Sequence, residues 1–75
     1  MKVYVVITNG EDIKGELEGV YQNYEDARKE FEESKQGGLD WAGDDVIEKN
    51  EYNDNFTLET SDEYMEVKIE TAEVQ

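Results

Sequence analysis

Alternation of apolar and polar residues is strongest at the start of the chain. Over residues 2–8, Val3, Val5 and Ile7 fall on one side of a period of two, and Tyr4 and Val6 fall on the other. A strand that is apolar on both sides belongs inside a sheet rather than at its edge. Asn9-Gly10 follows, a dipeptide suited to the left-handed conformations of a tight turn, so the chain is predicted to reverse there as a hairpin. The return segment, about 13–21, sets Ile13, Leu17 and Tyr21 on one face and Glu16, Glu18 and Val20 on the other. Gly15 and Gly19 within it predict a bulge or a close approach beneath a helix.

The period then changes. Asn23 suits a helix N-cap, because its side-chain oxygen can accept from an amide otherwise left without a partner. Glu25 and Asp26 would occupy the first turn, at the positive end of the helix dipole. Tyr24, Ala27 and Phe31 recur at helical spacing, which predicts a helix over 24–35 with a narrow apolar stripe. Lys35 would sit at its C-terminus, with Gly37-Gly38 ending it. Residues 39–45 show no period and read as a loop that tucks Trp41 against the core.

Three short strands are predicted after it, at 46–52, 56–60 and 64–74. They are joined by Asn53-Asp54-Asn55 and by Ser61-Asp62-Glu63, both rich in turn formers. In the last strand Met65, Val67 and Ile69 share one face, and Tyr64, Glu66, Lys68 and Glu70 share the other. The expected fold class is therefore α+β: a small antiparallel sheet of about five strands with one helix packed on one face, in the order ββαβββ. Residues 1–75 read as a single acidic domain. One helix covers only one face of such a sheet, leaving the other to solvent, to curling of the sheet or to a partner.

Composition narrows the functions available. The chain has 75 residues, with 21 acids against 7 bases, a formal net charge of -14, and neither His nor Cys nor Pro. Without His or Cys, thiol nucleophiles, His-based triads and zinc sites of His and Cys are excluded. Direct binding to nucleic acid is disfavoured, because the phosphate backbone rewards positive charge. No apolar run is long enough for a transmembrane helix and no signal-peptide pattern opens the chain, so the expected compartment is the cytoplasm.

The opening strand MKVYVV, at residues 1–6, and GVYQNYEDARKEFEE, at 19–33, together carry a resemblance. They look like a group of small phage and prophage proteins of Gram-positive bacteria, which begin with a Lys-Val-Tyr-Val-Val strand and continue through a Gly-Val-aromatic strand end into a capped helix with an early Ala. The resemblance covers about the first 35 residues and implies a fold and an origin, with no catalytic residue to carry over. The second half departs from it and is far more acidic.

Paired carboxylates could in principle serve as acid and base, but the acids fall at positions expected to face solvent, where a catalytic pair lacks a cleft, so the protein is read as non-enzymatic and without a cofactor. Asp40, Asp44 and Asp45 form an oxygen-rich set suited to weak Ca²⁺ or Mg²⁺ binding, though not at EF-hand spacing; capping and loop solubility explain them equally well.

Charge division is more informative. Residues 1–38 hold 9 acids and 5 bases, and residues 39–75 hold 12 acids and 2 bases. Carboxylates on one face of a strand repeat every ~6.8 Å, a spacing at which they form a fixed negative lattice that imitates a nucleic-acid backbone. The expected partner-binding residues are Glu48, Glu51, Asp54, Glu59, Asp62, Glu63, Glu66 and Glu70, with Trp41, Tyr52 and Tyr64 as aromatic anchors. The partner expected is a basic, nucleic-acid-binding host protein such as a CRISPR effector, a restriction enzyme or a transcription factor. The alternative is a small intracellular domain whose acidity serves only solubility and which self-associates, as a homodimer, through the uncovered sheet face.

Overall fold

A computed structural model describes residues 1–11 and 14–75. Five strands, β1 (Lys2–Gly10), β2 (Glu16–Tyr21), β3 (Glu48–Tyr52), β4 (Asn55–Glu59) and β5 (Tyr64–Glu73), form one antiparallel sheet, with the helix α1 (Tyr24–Ala42) between β2 and β3 in the chain. The spatial order is β2-β1-β5-β4-β3. The fold is thus the α+β arrangement ββαβββ. The doubly apolar β1 lies inside the sheet, between β2 and β5.

Pairing register shows which residues share a face. Phe56 pairs with Val67, Leu58 with Met65, and Val6 with Ile69. These side chains face α1, and Val6, Ala27, Phe31, Phe56, Leu58 and Val67 make one buried cluster. Tyr21, Leu39, Ala42 and Val46 pack around it. Asn23 caps α1 as expected, accepting from the Asp26 amide at 3.0 Å, and Glu25 and Asp26 occupy the first turn.

Several boundaries differ from expectation. The helix does not end near Lys35 at Gly37-Gly38 but continues to Ala42, and Gly43 caps it with φ 58° and its amide on the Leu39 carbonyl at 3.0 Å. Residues 39–42 are therefore helical rather than a loop, and Trp41 is not tucked against the core but 57% exposed. The reason is packing. Gly38 is buried in the interface, where the end of the Met65 side chain occupies the room a Cβ would need, so this glycine admits a neighbour instead of ending the helix. Leu39 and Ala42 extend the apolar stripe by a further turn.

Asn9-Gly10 is not the hairpin turn either. β1 continues through it, paired with Glu66 and Met65 of β5, and the Asn9 side chain accepts from the Gly15 amide across the connection. β2 carries the expected irregularity: the register shifts between Val6↔Gly19 and Ile7↔Leu17, leaving Glu18 as the extra residue. That bulge reverses the face assignment upstream of it. Leu17 therefore lies opposite Ile7, on the face away from the helix, whereas Tyr21 lies opposite Tyr4, toward it; Ile13 falls outside the described residues. The β3–β4 turn is just Asn53-Asp54, with Asn53 at φ 55°, a left-handed conformation that Asn tolerates. Asn55 and Val46, placed in the turn and in β3 by the sequence, lie one residue inside β4 and two before β3.

A polar clamp ties α1 to this turn. Arg28 donates to Glu32, Glu51 and Asp54 at 2.6, 2.9 and 3.2 Å, Lys35 donates to Glu51 at 2.6 Å, and the Tyr24 hydroxyl donates to Asp54 at 2.5 Å. Burial works against the Arg28 charge, but the Glu51 hydrogen bond and the Glu32 charge outweigh it and raise its pKa. The hydrogen bond from Lys35, then that from Arg28, holds the Glu51 carboxyl below the ordinary carboxylate value.

Two measurements check this account. Gly37 is helical with open space around its Cα, so Gly37→Ala is expected to stabilise the protein by about 0.5–1 kcal/mol in urea unfolding. Gly38→Ala should gain less, since Met65 must move aside; destabilisation by Gly37→Ala would instead mean that the helix stops at the glycine pair. The second concerns acid. A lowered carboxylate pKa stabilises at neutral pH and loses that contribution as pH falls below its ordinary value of 4.5 and through the lowered one. Thermal melts between neutral pH and that acid range should show a shallower acid decline for Glu51→Gln than for the parent, and identical slopes would mean that the clamp carries no stability.

Candidate functional site

The face of the sheet turned away from α1 is the candidate site, and the register lays it out in rows. Glu48, Glu59 and Tyr64 form the first across β3, β4 and β5; Asn50, Thr57, Glu66 and Asn9 form the second, reaching β1. Tyr52, Asn55, Lys68, Ile7 and Leu17 form the third, running into β2. Glu70, Val5 and Val20 follow, then Ala72 and Val3. The face therefore divides into an acidic part over β3, β4 and β5 and an apolar part over β1 and β2.

Each acidic position has a physical setting. Glu48 lies directly opposite Glu59, an arrangement in which two negative charges stand roughly 5 Å apart at Cβ and weaken the hairpin that holds them. Glu48 and Glu59, with Asn50, Thr57, Leu58 and Tyr64, border a depression of about 200 Å³. Glu66 is held by amides rather than a cation: the Asn9 and Asn55 side chains donate to its two oxygens at 2.9 and 2.8 Å. Its charge is thereby fixed in direction without being neutralised. Lys68 is the one cation in the rows of this face, and Glu70 accepts from it at 3.0 Å, which raises the lysine pKa further. Tyr64 borders the patch, its phenol pKa raised by burial and then by the Glu66 charge. Tyr52 is 79% exposed beside it.

Four of the expected acids, Glu48, Glu59, Glu66 and Glu70, and two of the expected aromatics, Tyr52 and Tyr64, thus share one face. The others do not join them. Glu51 alternates to the opposite side of β3, and Asp54 lies in the β3–β4 turn; both are engaged by Arg28 in the clamp to α1. Asp62 and Glu63 lie in the β4–β5 turn, where the Thr60 hydroxyl accepts from both of their amides and donates to the Glu63 carbonyl. Trp41 is on α1, on the other side of the sheet. Asn9 and Asn55 were missed, although the period of two that groups Val3, Val5 and Ile7 also places Asn9 with them.

Asp40, Asp44 and Asp45 are not assembled as ligands. Asp40 accepts from Gln36 within α1, and Asp45 accepts from the Ser61 hydroxyl at 2.6 Å and from its amide, tying the segment after the helix to the β4–β5 turn. Among the described residues no group of three or more carboxylates could hold a metal ion. No helix of the described residues is long and apolar enough to cross a membrane.

The face presents carboxylates and the exposed Tyr52 and Tyr64 rings to solvent. Its charges are fixed by strand geometry and by side-chain amides, with one paired lysine among them, and its aromatic rings stand at the border of the acidic patch. Comparison with known proteins adds no further assignment: no family model, no curated protein and no solved structure matches the chain.

Proposed function

We propose that this protein is a non-enzymatic binding module whose acidic sheet face occupies a basic, nucleic-acid-binding surface of a host protein. The observation that carries the reading is the Glu48–Glu59 pair, directly opposed across β3 and β4 with Glu66 two positions further along β5 from the Tyr64 that completes its row. Opposed like charges cost the sheet stability, and a net charge of -14 exceeds the magnitude of roughly 2–8 that suffices for solubility of a small domain. A positive surface offsets both costs on binding. Neighbouring strands lie ~4.8 Å apart and successive rows on one face ~6.8 Å apart, a scale on which a basic cleft built for phosphates can engage carboxylates. Association of this kind is fast, steered over a distance, and weakened by salt.

The resemblance of residues 1–33 to small phage and prophage proteins supports a setting in which the host partner is a defence or regulatory protein: a CRISPR effector, a restriction enzyme or a transcription factor. Inhibition would be steric, with the module standing where DNA or RNA otherwise lies.

A second reading rests on a different part of the same face. Leu17 and Val20, 59% and 53% exposed, continue an apolar strip with the half-buried Val5 and Ile7, and a second copy related by a two-fold axis would cover that strip while leaving the acidic parts apart.

The main test uses Glu48→Gln, Glu59→Gln, Glu66→Gln and Glu70→Gln together. Immobilised parent protein is expected to retain one DNA- or RNA-binding protein from a bacterial lysate, releasing it with salt and with competing duplex DNA, while the fourfold variant retains at least tenfold less. Equal retention by the variant, or only a spread of ribosomal proteins, overturns the proposal. Folding of the variant is checked independently, since Glu59→Gln alone is expected to raise stability by about 0.2–1 kcal/mol through relief of the opposed pair. For the second reading, sedimentation equilibrium should show a dimer that Leu17→Glu with Val20→Glu converts to monomer; a parent monomer at every concentration removes it.

A further inference from the structure

A groove of about 430 Å³ runs between the C-terminal half of α1 and the adjoining ends of β1, β2 and β5, and its lining reaches Asn9 and Tyr64, where it meets the border of the acidic rows. Its volume falls within the roughly 300–1,000 Å³ of ligand-binding clefts. Gly38 and Met65 line its apolar interior, and the exposed indole of Trp41 forms one wall. Glu11, Glu18 and Glu63 stand on its margin, and among the described residues neither Lys nor Arg lines it. The Thr8 hydroxyl donates to Glu18 at 3.1 Å and orients that carboxylate, while the Glu63 carboxylate makes no hydrogen bond or ion pair among the described residues.

An apolar trough with an aromatic wall and acidic margins matches one common protein group closely. Arginine has an aliphatic stem that packs on apolar surface, a planar cation that stacks on an indole, and donors that bind carboxylates in pairs. We infer that this groove receives an arginine side chain of the protein partner, with its stem against Gly38 and Met65, its guanidinium over Trp41, and its donors directed to Glu18 and Glu63. Trp and Arg, with Tyr, are enriched at the energetic centres of interfaces, and the helix extension past Gly37-Gly38 is what brings Trp41 to this position. The inference rests on the reading of a basic protein partner and adds a second contact to it, chemically distinct from the acidic sheet face.

Trp41 is the only tryptophan, so its fluorescence reports on the groove directly. Titration with N-acetyl-arginine amide at low, matched ionic strength should change the emission saturably in the millimolar range, whereas the uncharged isostere N-acetyl-citrulline amide should not. Glu63→Gln is expected to weaken arginine binding by roughly fivefold, the scale of one well-placed surface ion pair, and Glu18→Gln by a similar factor. Amide resonances of Gly38 and Ser34 should shift on titration, which verifies the location in folded protein. The fourfold sheet-face variant should bind N-acetyl-arginine amide within twofold of the parent. An equal response to citrulline, no saturation by tens of millimolar, or full affinity in both glutamine variants overturns the arginine site. Those results would leave retention of the basic partner by the sheet face untouched, just as loss of retention would leave this titration untouched.

Discussion

A single helix cannot cover a five-stranded sheet. An α-helix with its side chains is about 10–12 Å across, whereas five strands spaced ~4.8 Å apart span roughly 20 Å between outer backbones. Everything else in this structure follows from how that deficit is met. The buried cluster sits under α1: Ala27 and Phe31 from the helix meet Val6 of β1, Phe56 and Leu58 of β4 and Val67 of β5. Beyond the reach of the apolar stripe, the helix uses longer polar side chains: Arg28 lies over the Phe31 ring and Lys35 over the Phe56 ring, and both extend to Glu51 at the sheet edge. Their aliphatic stems shield the core and their charged ends fasten β3, a strand that the helix body does not touch.

The same constraint leaves the second face open. Its composition is not uniform, and the division follows the strand order. β1 and β2 bring Val3, Val5, Ile7, Leu17 and Val20 to one side; β3, β4 and β5 bring Glu48, Glu59, Glu66 and Glu70 to the other. The carboxylates of this face repel one another at strand spacing, and water and salt are what screen them. Cross-strand opposition of Glu48 and Glu59 then weakens the hairpin with the fewest packing contacts to offset it, and the clamp from Arg28 and Lys35 acts on that same hairpin from the helix side. The clamp and the acidic face thus meet at β3, where Glu51 faces the helix and Glu48 faces outward, three residues apart on one short strand.

Gly38 shows a similar double dependence. Because it has no side chain, Met65 can close against the helix, and because α1 continues past it, Leu39 reaches the core and Trp41 reaches the margin of the groove beside β1 and β2. A larger residue at this position would have to displace the end of the Met65 side chain, which lines the groove beside Trp41. The groove and the core therefore share one contact.

Much of this was legible in the chain alone. The period of two in residues 2–8 and 64–70, the Asn23 cap and the turn formers at 53–54 and 61–63 determine the elements, because hydrogen-bonded strands and helix ends make demands that local side chains either meet or fail. The acidic bias of the second half was equally plain. Other features needed the tertiary structure. Whether Gly37-Gly38 ends a helix depends on what packs against it, and the answer lies in Met65, 27 positions away. Asn9-Gly10 reads as a turn until β5 is present to pair with it. The bulge at Glu18 exchanges the faces of Leu17 and Tyr21, which no local alternation reveals. Of eight acids grouped by sequence, strand pairing put Glu48, Glu59, Glu66 and Glu70 on one surface and gave Glu51 and Asp54 to an internal clamp, since the register decides which carboxylates a cation of the fold can reach: Arg28 and Lys35 reach Glu51, Lys68 reaches Glu70, and Glu48, Glu59 and Glu66 make no ion pair among the described residues.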